Sequence, residues 1–271
     1  MDGVGATAKM TAAARAREAA RDDRLLDDPW AAALAGDEGF AFLDAQSALV
    51  PGTSPPPVFA VRHRFFDDYV LDRVATGLRQ VVLVAAGLDT RAFRLTWPAG
   101  VRLFELDQPS VLTYKQNVLD NADAVAKCER FTVAVDLRED WPAELVRAGF
   151  DSNEPCVWLA EGLLFYLPEA SVHALLDATS RMSRPGSTLG ADIMPVAMLA
   201  DERRRAWKQF YSDAGAPFKF GTDEPAALLE AHGWQPTIHQ FADVSQRLGR
   251  AWPTPPTPRP QGSIITADRV G

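Results

Sequence analysis

The chain has 271 residues and a formal charge of −8, from 28 Lys and Arg against 36 Asp and Glu. Hydrophobic residues make up 47% and charged residues 24%, the balance of a soluble chain able to bury a core. An acidic surplus argues against a protein that grips phosphate backbones, so no nucleic-acid partner is expected. No apolar run reaches the roughly 20 residues of a membrane-spanning helix. The N-terminal stretch lacks the apolar centre of a signal peptide, and two cysteines, Cys128 and Cys156, make no disulfide framework. The expectation is a cytoplasmic protein with no membrane partner and an oligomeric state left open.

In chain order, a helical N-terminal section closes on the loop Val50-Pro51-Gly52-Thr53-Ser54-Pro55-Pro56-Pro57. The segment from Val58 to Gly77 reads as a helix, with Val61, Phe65, Phe66, Tyr69, Val70 and Val74 near helical spacing. Short apolar runs follow at Gln80–Ala85, Val101–Leu106, Arg130–Ala134, Cys156–Ala160 and Thr188–Ala191, the pattern of strands buried on both faces. Helical segments fall between them around 109–125, 141–148 and 168–182. Alternation of this kind predicts an α/β, Rossmann-like fold: a mostly parallel twisted sheet with helices on both faces, behind an N-terminal helical section. Near the C-terminus a proline-rich stretch, 252–260, leads into a last strand at 263–267. The organisation expected is one domain, with residues 1–57 as helical section and loop, 58–193 as cofactor-binding core, and 194–271 as insertion and C-terminal strands.

Ligands of such sheets sit beyond the carboxyl ends of the strands, and here each of the first four strands is followed by a carboxylate. Ala85-Ala86-Gly87-Leu88-Asp89 follows the first and Asp107-Gln108 the second; Asp136-Leu137 follows the third and Glu161 the fourth. Gly87 and Asp107 are 20 residues apart, the spacing at which a βαβ nucleotide fold sets a carboxylate on ribose hydroxyls. A dinucleotide needs G-x-G-x-x-G for its pyrophosphate, whereas this turn has one glycine and an early Asp89. A cofactor with ribose, adenine, ammonium and sulfonium suits the acidic rim better, which points to S-adenosylmethionine.

Val82-Leu83-Val84-Ala85-Ala86-Gly87-Leu88-Asp89-Thr90-Arg91, Glu105-Leu106-Asp107-Gln108-Pro109, Asp136-Leu137 and Glu161-Gly162-Leu163-Leu164-Phe165-Tyr166 together resemble the leucine carboxyl methyltransferase family, and most nearly its actinobacterial members. The resemblance runs from about Ala6 to Ile265. It implies a class I methyltransferase fold and transfer of a methyl group to a carboxylate or phenol of a small molecule. It further implies that Ala85, Gly87 and Asp89 line the methionine moiety, that Asp107 with Gln108 holds the ribose, and that Asp136 and Leu137 hold the adenine. Glu161 would lie near the methionine ammonium and Arg62 would pair with the carboxylate; Lys9 is a candidate N-terminal cation.

Plainer readings stand beside these. Asp107 and Asp136 are also plausible helix caps, and Arg64 with Asp68 reads as an ordinary i,i+4 pair. Glu161 has only apolar neighbours in sequence, so it is expected to lack an internal cation; Glu161→Gln should then stabilise the empty protein. The four histidines show no ligand spacing and no metal is expected. No catalytic group is assigned, although His63, His173 and Tyr166 are possible bases for a phenol. The section from Trp207 to Phe220 interrupts the strand pattern and would cover the cofactor. The competing functions are a nicotinamide-dependent oxidoreductase and a non-catalytic S-adenosylmethionine-binding protein.

Overall fold

The computed structural model describes residues 3–49, 57–253 and 260–270. Nearly all of the 50–57 loop and most of the proline-rich stretch lie outside the described residues. The elements are α1 (Gly3–Ala19), α2 (Ala31–Ala48), α3 (Val58–Ala75), β1 (Gln80–Val84), α4 (Arg91–Arg94), β2 (Arg102–Asp107), α5 (Pro109–Asn121), β3 (Glu129–Ala134) and α6 (Trp141–Arg147). They continue as β4 (Cys156–Ala160), α7 (Glu169–Arg181), β5 (Thr188–Ile193), α8 (Val196–Ala200), α9 (Arg205–Asp213), α10 (Pro225–Glu230), β6 (Trp234–Gln240), α11 (Phe241–Arg247) and β7 (Ser263–Arg269).

The strands form one sheet in the order β3-β2-β1-β4-β5-β7-β6. The first five are parallel, and β7 runs antiparallel to both β5 and β6. Chain direction across the sheet reverses at β1, which pairs with β2 on one side and β4 on the other; Leu83 sits opposite Glu105 and Leu159. That reversal opens the crevice in which such sheets hold their ligands.

Side-chain alternation along the strands supplies two cores. Val82, Val84, Phe104, Leu106, Trp158 and Leu189 pack on one face under α6, α7 and α10. Val81, Leu83, Leu103, Val157 and Leu159 pack on the other with α1, α2, α3, α5 and α11. Because both faces are covered, β1 and β4 are buried along their whole length. Helix α3 lies unusually close to the sheet at Gly190. A Cβ there would stand 3.0 Å from ring carbons of Phe66 and Tyr69, so only glycine leaves α3 room to press its polar residues against the strand ends.

The parallel strands, the helices between them and the final strand fall where the sequence predicts. Strand β6 lies within the 194–271 section, where C-terminal strands are expected but the sequence alone does not locate this one. Its sequence, with Pro236 inside, argues against a central strand; the structure uses it at the sheet edge, where a missing amide costs little. Arg64 and Asp68 form the expected surface pair, at 2.9 Å.

Candidate active site

The turn after β1 is the most constrained backbone in the site. Ala85 and Gly87 both have φ of 53°. Glycine adopts this region freely, while alanine there costs about 1–2 kcal/mol. The turn is held by hydrogen bonds from the neighbouring strand. The Ala86 amide donates to the Leu106 carbonyl (2.9 Å), and the Gly87 amide donates to Asp107 Oδ2 (2.6 Å). The other oxygen, Asp107 Oδ1, accepts from the Gln108 amide at 2.7 Å. Asp107 thus joins two strand ends and does not cap α5, which begins at Pro109 without a side-chain cap. Burial pushes its carboxyl above the usual aspartate range, against the pull of the two amides.

Beyond these strand ends lies one large cavity of about 1600 Å³. All nine residues singled out as cofactor contacts line it: Arg62, Ala85, Gly87, Asp89, Asp107, Gln108, Asp136, Leu137 and Glu161. They come from α3 and the ends of four strands, so the topology alone brings them together. Asp136 is the most exposed of the strand-end carboxylates; it accepts from the Arg138 amide and guanidinium, at 2.9 and 2.6 Å.

Glu161 overturns one expectation. It is surrounded by cations, not stranded among leucines. Arg62 Nε donates to Glu161 Oε1 (2.9 Å) and Arg91 Nη2 to Glu161 Oε2 (2.8 Å). His63 Nδ1 stands 2.6 Å from Oε1 without hydrogen-bond alignment, and its Nε2 is buried with no partner. Burial alone would raise the Glu161 carboxyl; His63, Arg91 and Arg62 outweigh it and hold the group well below the usual range. Burial drives the His63 imidazole below its ordinary value, towards the neutral form, against the opposing pull of Glu161. The expectation failed because both arginines are distant in sequence and meet Glu161 only through the fold.

These contacts belong to a larger buried network. Arg62 Nη1 donates to Asp192 Oδ2 (2.8 Å), and Asp192 Oδ1 accepts the Gly162 amide (2.6 Å). Arg91 also donates through Nε to Asp67 Oδ1 (2.7 Å) and through Nη1 to Asp89. Arg94 Nη2 shares Asp67 Oδ1 (2.7 Å), and its Nε donates to Thr90 Oγ1 (3.1 Å). Thr90 Oγ1 donates to Asp28 Oδ2 (2.6 Å), which also accepts from Arg15 Nε (2.8 Å). Asp192, Arg91, Arg15, Asp28 and Asp67 were not read as site residues from sequence; the only available hint was Arg91 inside the Leu88-Asp89-Thr90-Arg91 motif. Lys9 is also corrected. It pairs with Glu38 and does not line the cavity, whereas Arg15 of the same helix does.

Part of the cavity wall is aromatic. Trp207, on α9, stacks on Phe218 at 4.4 Å, and Phe218 stacks on Tyr166 at 5.3 Å; Tyr211 joins them. All four line the cavity, as the interruption of the strand pattern there suggested. Among the described residues no group of three His, Cys, Asp or Glu is placed to hold a metal, and no helix is long and apolar enough to cross a membrane.

An open α/β sheet whose parallel strands end on carboxylates around a left-handed turn defines a class I, Rossmann-like methyltransferase domain. The family model for leucine carboxyl methyltransferase matches residues 8–180, and the chain belongs to that family. A Mycolicibacterium smegmatis protein named as an S-adenosyl-L-methionine-dependent methyltransferase is 41% identical, covering 92% of this chain and 88% of its own. A Streptomyces coelicolor protein named likewise is 40% identical, covering 98% and 96%. In fold the chain resembles a DUF574 family protein of Streptomyces avermitilis (TM-score 0.66, 16% identity, 96% and 97% covered). It also resembles a structure described as a methyltransferase from Thermobifida fusca (TM-score 0.67, 15% identity, 97% and 94% covered). The protein is an S-adenosylmethionine-dependent methyltransferase. The residues present fit that cofactor: a turn bare of side chain at Gly87, carboxylates for hydroxyls and cations, and a buried imidazole at His63 whose Nε2 has no hydrogen-bond partner.

Proposed function

We propose that this methyltransferase esterifies a carboxylate on a small molecule with a planar or apolar body. The observation that carries the reading is the mixed lining of one cavity, which combines the polar strand ends with the ring cluster of Trp207, Phe218, Tyr166 and Tyr211. A volume of about 1600 Å³ exceeds the roughly 300–1,000 Å³ of a single small-ligand pocket, so there is room for cofactor and acceptor together.

In this reading Asp107 and Gln108 hold the ribose, and Asp136 with Leu137 holds the adenine. Ala85, Gly87 and Asp89 border the methionine moiety, and Glu161 and Arg62 meet its ammonium and carboxylate. The cofactor supplies a methyl group activated by a sulfonium. The chain's task is to align an acceptor oxygen with that carbon and to exclude water. A C–O bond forms as the C–S bond breaks, and the electron pair of the latter stays on sulfur. A carboxylate acceptor is already ionised at neutral pH and needs no base. The cavity's own titratable groups suit that chemistry: burial pushes the Tyr166 hydroxyl well above its usual range. Exposed Arg181 and Lys219 at the cavity rim offer positive charge to an entering anion.

The test is transfer of a deuterated methyl group to a panel of aromatic carboxylic acids and phenols, followed by mild alkali. A methyl ester that alkali cleaves to methanol is expected. An alkali-stable aryl ether as the sole product would overturn the carboxylate assignment.

A further inference from the structure

The N-terminal helices contribute a part of the cavity that the cofactor reading leaves unused. Helix α2 supplies Leu43, Gln46, Ser47 and Leu49, none of them charged. This stretch borders the ring cluster: Phe42 packs on Phe210 and Tyr211 at 4.5 and 5.9 Å, and Gln46 follows Phe42 by one helical turn. Helix α1 meets the same cluster, where Tyr211 Oη donates to Met10 Sδ at 3.3 Å. Two cavity-lining hydroxyls on these helices are committed to their own backbones. Ser47 Oγ donates to the Leu43 carbonyl (2.8 Å) and Thr11 Oγ1 to the Ala8 carbonyl (2.9 Å). Gln46 is not committed. Its half-buried side-chain amide lines the cavity and has no hydrogen-bond partner among the described residues. A primary amide carries two donor hydrogens and an acceptor oxygen, so this position offers hydrogen bonds of both kinds without offering charge.

We propose that Gln46 is a specificity residue for the acceptor, reading a hydroxyl or carbonyl carried on the planar body away from the reacting carboxylate. The inference rests on the carboxylate reading above and names the substrate class within it: aromatic acids that bear a neutral polar substituent. The ring cluster takes the planar body, the carboxylate turns towards the strand ends, and the substituent meets Gln46. A charged residue at this place would call for a second ionic group on the acceptor. An amide instead accepts from a hydroxyl or donates to a carbonyl. An acid that lacks the substituent leaves the half-buried amide against apolar carbon. A site built to hydrogen-bond a substituent discriminates on that ground against the analogue without it.

Steady-state kinetics with naphthoate and the set of its monohydroxy isomers test it, each followed as an alkali-labile methyl ester in the parent, Gln46→Leu and Gln46→Glu. In the parent, kcat/KM for the best hydroxynaphthoate should exceed that for naphthoate about tenfold, the worth of one hydrogen bond to a half-buried group. Gln46→Leu should bring the ratio to within about twofold of unity. Gln46→Glu keeps an acceptor for the hydroxyl and should retain the preference. Calorimetric titration with S-adenosylmethionine reports that each variant is folded, and its Kd should stay within about twofold. A preference that survives in Gln46→Leu, or a parent that shows none, overturns the proposal. So does a loss of S-adenosylmethionine affinity in step with the preference, which would place Gln46 against the cofactor. A parent that methylates none of these acids overturns it too, since aromatic acids are the class it names. Hydroxynaphthoates converted solely to alkali-stable ethers would instead remove the carboxylate reading, and the proposal with it.

Discussion

Replacing Glu161 by glutamine separates what the fold shows from what neighbouring residues suggest. Judged by its sequence neighbours alone, the carboxylate is an unpaired buried charge, and its removal should stabilise the protein. The structure reverses the sign. Glu161 accepts from Arg62 and Arg91 at 2.9 and 2.8 Å and has His63 at 2.6 Å. Glutamine can keep one acceptor, but its amide nitrogen must then face a guanidinium N–H. Breaking a buried ion pair by removing one partner costs about 3–5 kcal/mol. For a chain of this length, unfolding entropy near 2.1 cal/mol/K per residue turns that into a fall in Tm of about 5–9 °C. The pH dependence follows from the depressed folded pKa of Glu161. The contribution is fully present above the unfolded carboxyl value of about 4.3, and it is lost only as pH falls through the lower folded value. Parent and variant should therefore differ by a constant amount between about pH 6 and 8 and converge in strong acid. Differential scanning calorimetry of the empty proteins reads this directly. An unchanged or higher Tm for Glu161→Gln at neutral pH would refute the ion-pair account.

Asp107→Asn should weaken S-adenosylmethionine binding about tenfold, the loss of one charge-assisted hydrogen bond of roughly 1.5 kcal/mol. Since burial raises this carboxyl, and hydroxyl donors favour its ionised form, affinity in the parent should fall as pH drops through the raised value; pH-independent binding would argue against a ribose contact. At Gly87 an added Cβ would meet Ala8 Cβ at an ordinary 3.5 Å, so Gly87→Ala should cost about 1–2 kcal/mol through its φ alone, measurable by urea denaturation. Trp207→Ala removes half of a 4.4 Å ring stack. It should raise the acceptor KM while leaving cofactor Kd within about twofold; an equal loss of both would place Trp207 in the cofactor half.

The sheet was readable because β1, β2, β4 and β5 are covered on both faces and so appear as unbroken apolar runs. Strand β6 was not, since an edge strand tolerates the proline and polar alternation that a central strand excludes. The carboxylates at the strand ends were legible for a related reason: a charge directly after a buried run must be either paired or used. Their partners were hidden. Arg62 lies 99 residues from Glu161 and 130 from Asp192, and Arg91 lies 70 from Glu161. No local pattern carries such pairings; they exist only once α3 is pressed against the sheet at Gly190. Lys9 and Arg15 show the same limit within one helix, where the side that faces the cavity is decided by packing.

The place of β7 has a consequence for how the protein is made. It is the last of the seven strands to be synthesised, yet it lies inside the sheet, bonded to β5 on one side and β6 on the other. Strand β6 has no other neighbour in the sheet, so it cannot dock until β7 has left the ribosome. Until then the nascent chain carries an open edge along β5, and the half-assembled sheet is a template for pairing with another chain. Ile264 and Ile265, fully buried when the strand is in place, act as the closing stitch. A chain halted before Ser263 should therefore collect in aggregates, even though every strand end that borders the cavity has already been translated.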